Sequence, residues 1–263
     1  MYKIGFIGCG NMGGALARAV VKTIAGAQIA VCDYDAEKAQ KLANEAGMYV
    51  MSAEEVVKNC HFVVLGVKPQ HLQQTLAPLA PIFEKRTDVV VISMAAGTPI
   101  STVQNLCGGN LPVIRIMPNT PVLLGEGMTV YATDGVSAED ESEFLQMFAK
   151  SGSIDKVNEE QIDAVMALSS CGPAFVYAFA QALAKGAEEC GAPKEKTALY
   201  AAQTLQGAAK MLMKFGDAEG LKRAVCSPGG TTIAGLNAMD EADFDGAVQK
   251  GVQAAYKRAL ELK

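Results

Sequence analysis

The sequence predicts an α/β protein in two parts: an N-terminal domain built on a doubly wound parallel sheet, and an all-helical C-terminal domain. Three observations lead to this prediction. Short β-rich runs alternate with amphipathic helical segments early in the chain, which is the rhythm of parallel βαβ units. Residues 62–65 and 89–92 are apolar at consecutive positions, as expected for strands buried on both faces of a sheet. After Asp155 the strand-like runs stop and long helical segments follow.

In chain order, the first part alternates five strands with five helices. The predicted strands cover residues 2–8, 27–32, 61–66, 88–93 and 112–116. The predicted helices lie near residues 12–24, 36–46, 54–59, 70–83 and 100–107. We therefore expect a dinucleotide-binding domain over residues 1–155, with the second domain covering residues 156–263.

Three long helices are predicted in the second part, over residues 174–188, 195–215 and about 244–262. Pro173 suits the first turn of the first helix. That helix is apolar on nearly all sides, so it should be buried on more than one side. This pattern favours contact with a second subunit, although one crowded helical domain would also bury the helix.

Composition excludes several classes of protein. The chain has 263 residues, half of them hydrophobic, with 23 basic and 28 acidic side chains and a net charge of −5. This is too apolar for a disordered chain and has no basic excess for nucleic acid or a membrane surface. Seven cysteines occur without a C-x-x-C pair, so we expect neither a disulfide framework nor a metal site. We expect the longest charge-free runs to stay well below the roughly 18 residues that span a bilayer. No secretory signal or membrane span is expected, which predicts a cytoplasmic protein.

A G-x-G-x-x-G motif lies between the first predicted strand and the first helix. It consists of Gly8, Cys9, Gly10, Asn11, Met12 and Gly13. Gly8 permits the tight turn, Gly10 lets backbone approach a pyrophosphate, and Gly13 permits close packing of helix on strand. Asp33 ends the second strand at the position that binds an adenosine ribose. Its charge favours NAD(H) over NADP(H), and both forms stay open.

Three further segments follow predicted strands, where ligands bind in open α/β sheets. The first is Gly66-Val67-Lys68-Pro69, in which Lys68 could reach a ribose or phosphate or could be an ordinary surface lysine. The second is Ala95-Ala96-Gly97, small enough for a nicotinamide to lie against backbone. In the third, Pro118 and Pro121 bracket Asn119, which could lie beside a cofactor.

The helical part contains a Ser/Gly/Thr cluster ahead of an apolar helical stretch. It comprises Ser227, Pro228, Gly229, Gly230, Thr231 and Thr232. Such a loop could bind a carboxylate or phosphate through N–H groups and hydroxyls, or could be a plain helix cap. The two histidines, His61 and His71, suit structural roles. This scarcity of acid–base groups fits hydride transfer, in which the cofactor carries the chemistry.

Taken together, these segments resemble the pyrroline-5-carboxylate reductase family from Lys3 to about Leu262. The resemblance rests on six motifs in order: F-I-G-C-G-N-M-G at 6–13, V-K-P at 67–69, A-A-G at 95–97, R-I-M-P-N-T-P at 115–121, S-S-C-G-P-A at 169–174 and C-S-P-G-G-T-T-I at 226–233. It implies reduction of 1-pyrroline-5-carboxylate to L-proline by NADPH or NADH. It also implies a homodimer through the helical domain, sometimes within a larger ring.

The resemblance also assigns residues. Substrate would be held by Ser227, Gly229, Gly230, Thr231 and Thr232, with the catalytic hydroxyl of Thr232 near the ring nitrogen. One segment departs from the family, in which many members carry Arg or Ser after the second strand where this chain has Asp33-Tyr34-Asp35. Two alternatives remain: a β-hydroxyacid dehydrogenase, for which Lys185 is poorly placed and has no accompanying asparagine, and a non-catalytic dinucleotide sensor or scaffold.

Overall fold

A computed structural model of the chain describes residues 1–261. Eight strands in these residues form one sheet in the order β3-β2-β1-β4-β5-β6-β7-β8. The strands are β1 Tyr2–Ile7, β2 Ile29–Cys32, β3 Tyr49–Val50, β4 Cys60–Leu65, β5 Val90–Ser93, β6 Val113–Met117, β7 Gly127–Asp134 and β8 Gly152–Lys156. Neighbouring strands from β3 to β6 are parallel, and β7 is antiparallel to β6. The predicted doubly wound sheet is confirmed.

Helices cover both faces of this sheet. Those of the first part are α1 Asn11–Val20, α2 Ala36–Ala46, α3 Ala53–Asn59, α4 Pro69–Leu76, α5 Ala80–Phe83, α6 Ile100–Leu106, α7 Ala138–Phe148 and α8 Ile162–Ser169. Phe62 and Val64 pack in one apolar cluster, which includes residues of α1, α2 and α7. Val63 and Leu65 pack in the other, with residues of α3, α4, α6 and α8. Both faces of β4 are therefore buried, which explains its consecutive apolar residues.

Sequence periodicity missed several elements. β3 has only two residues, both exposed, and β8 is an edge strand with mostly exposed or half-buried residues, so neither carries a hydrophobic pattern. β7, α7 and α8 were also not predicted. The helix predicted over residues 70–83 is two helices, because Pro78 and Pro81 lack the N–H group that a continuous helix requires.

The second part of the chain is helical, as predicted. Its helices are α9 Gly172–Glu189, α10 Lys194–Phe215, α11 Ala218–Ala224, α12 Thr231–Glu241 and α13 Phe244–Leu260. The predicted end of the last helix, Leu262, lies outside the described residues. Not one of the 18 residues of α9 is buried within the single chain. Phe175, Val176 and Tyr177 are among its exposed apolar side chains.

One helical stretch, Glu159–Glu189, is long and apolar enough to cross a membrane by length and composition. Residues 164–184 carry no charged side chain, so the expectation that no stretch of the chain reaches this length is wrong. The helical hydrogen bonding changes at Ser170 and Cys171, where α8 gives way to α9. An apolar helix that packs in the core of a soluble protein passes the same test.

Packing divides the chain into two compact units. Residues Met1–Cys171 form the first unit with the chain from Ala255 onward, and Gly172–Ala254 form the second. α8 belongs to the first unit because its residues Ile162 and Met166 pack in a sheet cluster. The domain border between residues 155 and 156 stays a prediction about organisation.

A buried ion pair attaches α8 to the sheet. Arg115 on β6 is 1% exposed, and its Nη2 donates to Oδ1 of Asp163, also 1% exposed, at 2.7 Å. Its Nη1 donates to Oε1 of Glu159 at 3.2 Å. A charge in the protein interior is costly without a partner. This pair therefore holds the first turn of α8 against β6.

We expect the Arg115→Met variant to lose about 3–5 kcal/mol of unfolding free energy, because Asp163 would keep its buried charge without the guanidinium. The matched control is Glu159→Gln, which removes the half-exposed partner and should cost about 1 kcal/mol or less. Urea denaturation followed by far-UV circular dichroism measures both. A loss for Arg115→Met no larger than for the control would contradict a stabilising role.

Candidate active site

Five loops meet at one edge of the sheet. In the parallel register Ile7 is paired with both Cys32 and Leu65, and Ser93 with both Leu65 and Arg115. The carboxyl ends of β1, β2, β4, β5 and β6 therefore lie side by side. The loops that follow them contain Gly8–Gly13, Asp33, Gly66–Pro69, Ala95–Gly97 and Asn119. This is the edge at which open α/β sheets bind ligands.

Three glycines make the first loop compact. Gly8 has φ +101° and its N–H donates to Cys32 O at 2.8 Å. A Cβ added to Gly13 would lie 2.1 Å from Gly8 O, and one added to Gly66 would lie 2.4 Å from the same oxygen. These are backbone contacts that no side-chain rotation can relieve. Gly66 thus serves loop packing, a role that the motif alone does not reveal.

Gly10 differs from these glycines because its surface is open. A Cβ added there would meet no heavy atom within 4 Å. Gly10 caps α1, which has no side-chain cap and no acidic residue in its first turn. The first N–H groups of α1 are consequently free of side-chain acceptors beside an open backbone surface. This arrangement fits a pyrophosphate, for which helix N-termini are suitable sites.

Asp33 lies between the glycine loop and the start of α2. Its Oδ2 accepts the Cys9 N–H at 2.6 Å, and its Oδ1 accepts the Asp35 N–H at 3.0 Å. The carboxylate is therefore held in a fixed position beside the loop. This is where the acidic residue of a dinucleotide-binding βαβ unit meets the adenosine ribose.

A cavity of about 480 Å³ lies beside the glycine loop. It is lined by Cys9, Gly10, Asn11, Arg18, Asp35, Glu37, Lys38, Lys41, Leu42 and Leu123. Sequence reasoning missed Arg18, Lys41 and Leu123, which reach this place from the last turn of α1, from α2 and from the loop after β6. Lys41 and Leu123 are distant from the motif in sequence, and Arg18 follows the motif on α1 but occupies no motif position.

Cys9 is in the loop, and it is buried. Burial raises the pKa of this thiol to about 12, with the charge of Asp33 adding to the rise. Because the thiolate is the reactive form, we expect Cys9 to resist maleimide at pH 8 in the native protein. Cys60 and Cys107, whose thiol pKa values burial also raises to about 12, should behave alike. Peptide mass spectrometry measures this, with urea-unfolded protein as the control. Labelling of native Cys9 as fast as in urea would contradict it.

The next two loops present backbone more than side chains. α4 begins at Pro69 with no side-chain cap, and Lys68 at its cap is exposed. Ala95 is buried, whereas Gly97 adopts φ +68°, a left-handed conformation that suits glycine. Small residues thus line this part of the edge, as the sequence predicts.

Asn119 is held by protein groups. Its Nδ2 donates to Ser169 O at 2.9 Å and its Oδ1 accepts the Met128 N–H at 2.9 Å. Beside it, Ser170 Oγ donates to Pro118 O at 3.1 Å. The side-chain amide of Asn119 therefore fastens the loop after β6 to β7 and to the end of α8.

In the second unit, the Ser/Gly/Thr cluster forms the start of α12. Gly229 has φ +71°, and Gly230 caps the helix without a side-chain hydrogen bond. The first turn of α12 has no acidic residue, and both Thr231 and Thr232 are exposed. This is an open helix N-terminus flanked by hydroxyl groups, which suits a carboxylate.

One group of potential metal ligands appears among the described residues, away from these loops. His61, Asp140 and Glu143 offer ligand atoms within 4.8 Å of one another. His61 Nε2 is 2.6 Å from Asp140 Oδ1, and Nδ1 is 2.6 Å from Asp88 O. Glu143 forms an ion pair with Lys3. These atoms already serve contacts that hold α7 against the sheet.

The parallel sheet, with its glycine loop and the uncapped N-terminus of α1, defines a dinucleotide-binding protein with a helical second unit. The chain is 36% identical to pyrroline-5-carboxylate reductase of Glycine max, over 99% of this chain and 96% of the relative. It is 34% identical to pyrroline-5-carboxylate reductase of Escherichia coli K12, over 99% and 98%. The chain belongs to the pyrroline-5-carboxylate reductase family.

Family models and solved structures agree with this. Residues 3–97 match the model described as NADP oxidoreductase coenzyme F420-dependent, and residues 159–262 match pyrroline-5-carboxylate reductase dimerisation. The Coxiella burnetii pyrroline-5-carboxylate reductase superposes with a TM-score of 0.91 at 28% identity, covering 100% of this chain and 98% of that one. The Plasmodium falciparum pyrroline carboxylate reductase, solved with NADP bound, gives 0.88 at 28% identity, covering 99% and 98%.

Proposed function

We propose that this chain reduces 1-pyrroline-5-carboxylate to L-proline with NADH or NADPH, the last step of proline biosynthesis. The observation that carries the proposal is the open N-terminus of α12, with Thr231 and Thr232 exposed on its first turn. The same chain has a dinucleotide loop that leads into α1, whose N-terminus also has no side-chain cap. Together they supply an anion site for the substrate carboxylate and one for the cofactor pyrophosphate.

We assign the cofactor to the loops at the carboxyl edge of the sheet. The N–H groups from Gly10 to Met12 bind the pyrophosphate, Asp33 binds the adenosine ribose, and Ala95–Gly97 support the nicotinamide. Gly8 holds the loop in shape and Cys9 anchors Asp33 through its N–H. Gly66, Val67, Lys68 and Pro69 line the same edge. Asn119 contributes to the cofactor site indirectly, because its side chain holds the loop after β6 in place.

We assign the substrate to the start of α12. The carboxylate accepts hydrogen bonds from N–H groups around Gly229–Thr232, with Ser227 beside them. Thr232 orients the ring nitrogen through its hydroxyl, whose ordinary pKa is too far from neutral for a strong acid. When bound, the reduced nicotinamide supplies a hydride to the imine carbon, and the protonated nitrogen receives the electron pair of the C=N bond.

We further propose a homodimer through the helical domain, residues 156–263, with residues 1–155 as the dinucleotide domain. Support comes from α9, whose apolar side chains are unburied in one chain. A larger ring of dimers belongs to the same proposal. All seven cysteines are free thiols, which supports a reducing, cytoplasmic location. The net charge of −5 supports neither nucleic acid nor a membrane as partner.

The decisive experiment mixes purified protein with 1-pyrroline-5-carboxylate and NADH or NADPH in separate reactions. We expect loss of nicotinamide absorbance with equimolar formation of L-proline. Protein without substrate and substrate without protein are the controls. No proline with either nucleotide would refute the activity, and a monomer in sedimentation equilibrium would refute the dimer.

A further inference from the structure

In the turn between β2 and α2, the backbone N–H groups that could bind an anion are already hydrogen-bonded to side chains of the turn itself. The Asp35 N–H donates to Asp33 Oδ1 at 3.0 Å. The Glu37 and Lys38 N–H groups, at the start of α2, donate to Asp35 Oδ1 at 3.1 and 3.2 Å. In this segment the N–H groups that an incoming phosphate would need are therefore already bound to carboxylates.

This matters because the adenosine ribose lies at the end of the second strand in this kind of fold. A 2′-phosphate, present in NADPH and absent from NADH, would approach Asp33 and the start of α2. It would meet two carboxylates that are fixed by backbone hydrogen bonds. A ribose 2′-hydroxyl can instead donate a hydrogen bond to Asp33, whose carboxylate oxygens have lone pairs left.

The nearby cations do not reverse this balance. Arg18 lines the neighbouring cavity, but its Nε and Nη2 both lie 2.7 Å from Glu45 Oε2. Lys38 and Lys41 also line the cavity, together with the acidic residues Asp35 and Glu37. The charges of this lining and of Glu45 cancel, so no net positive field attracts a phosphate.

We propose that Asp33 and Asp35 make this chain prefer NADH over NADPH, with Asp33 receiving the ribose hydroxyl and Asp35 closing the start of α2 to a phosphate. The inference rests on the proposed function wherever catalysis is measured. The binding of NADH and NADPH can be measured without any turnover. Like charges brought together repel each other, so we expect NADH to bind at least about tenfold tighter than NADPH.

The test measures the dissociation constants of NADH and NADPH by nucleotide fluorescence on the full chain without substrate. The variants are Asp33→Asn and Asp35→Asn, singly and together. Asparagine removes the charge, while its side-chain carbonyl can still accept the N–H of Cys9 or cap α2, so the fold should survive. The double variant should bind NADPH at least about tenfold tighter than the unaltered chain does, because the repulsion is gone.

The matched control is Glu139→Gln, which removes an exposed carboxylate from the first turn of α7 at the opposite edge of the sheet. It should leave both constants unchanged. Tighter binding of NADPH than NADH by the unaltered chain, or equal gains for both nucleotides in the double variant, would overturn the inference. If NADH binds tighter but no proline forms, the proposed reaction fails and the inference stands. If proline forms but NADPH binds tighter than NADH, the proposed reaction stands and the inference fails.

Discussion

Replacing Gly13 by alanine should unfold or severely destabilise the N-terminal unit and abolish dinucleotide binding. The added Cβ would lie 2.1 Å from Gly8 O, and a backbone carbonyl inside a compact loop cannot move away. Alanine favours a helix over glycine by about 1 kcal/mol. Overpacking usually costs about 1–3 kcal/mol, and a clash with a backbone atom that cannot move lies at the upper end of that range or above it. The clash therefore outweighs the helix preference.

Gly10→Ala is the matched comparison, because the same methyl group meets open space. Gly10 has φ −64° and ψ −167°, values that alanine adopts without strain. We expect less than about 1 kcal/mol of change in unfolding free energy, as for a helix cap. The nucleotide should bind at least about tenfold more weakly, because the methyl occupies the surface that a pyrophosphate approaches.

Urea denaturation and nucleotide fluorescence measure both variants. Gly109→Ala is the control, since its Cβ also meets nothing within 4 Å and it precedes β6, at the other edge of the sheet. It should change neither stability nor binding. A Gly13→Ala protein that folds and binds nucleotide normally would show that the loop differs from the structure described. Unchanged binding by Gly10→Ala would remove the pyrophosphate from this loop.

Removing the hydroxyl of Thr232 should lower kcat/KM for 1-pyrroline-5-carboxylate about 10- to 100-fold. A hydrogen bond to a charged group contributes about 1.5–3 kcal/mol, and the protonated ring nitrogen is such a group. Thr232 is exposed at the start of α12, so Thr232→Ala should cost little stability. Nucleotide affinity should not change, because the cofactor is assigned to the sheet loops.

Thr232→Ser keeps the hydroxyl and should retain most of the activity, which separates hydrogen bonding from packing. Ser142→Ala, which removes an exposed hydroxyl from α7, should leave the kinetics as they are. Steady-state assays at saturating nucleotide measure all three variants. Full kcat/KM in Thr232→Ala, or equal losses in the alanine and serine variants, would contradict the orienting role.

Sequence patterns predicted the fold where they were strong and local. The consecutive apolar residues of β4 and β5 identified buried parallel strands, and the glycine motif identified the first loop. β3 and β8 were not predicted, because exposed strands carry no hydrophobic signal. The pairing of β7 antiparallel to β6 escaped because strand direction depends on the path of the chain through space.

For the candidate site, sequence order located the loops but did not reveal their internal bonding. Asn119 was predicted to lie beside a cofactor, yet its amide is bound to Ser169 and Met128. Arg115 belongs to a quoted motif, yet nothing in that motif reveals Asp163, its buried partner 48 positions away. Contacts over such separations depend on how elements pack, and no local pattern records them.

By itself, then, the sequence determined the two-part architecture, the family and which loops follow the buried strands, because periodicity, motifs and turn chemistry act between near neighbours. Only the tertiary structure decided that Gly13 is crowded while Gly10 is open, since the path of the folded loop brings Gly8 O beside Gly13 and leaves no heavy atom within 4 Å of a Cβ at Gly10. It also decided that the Asp33 carboxylate accepts a hydrogen bond from the Cys9 N–H. That contact joins the ends of two strands, which are neighbours only after the sheet has formed.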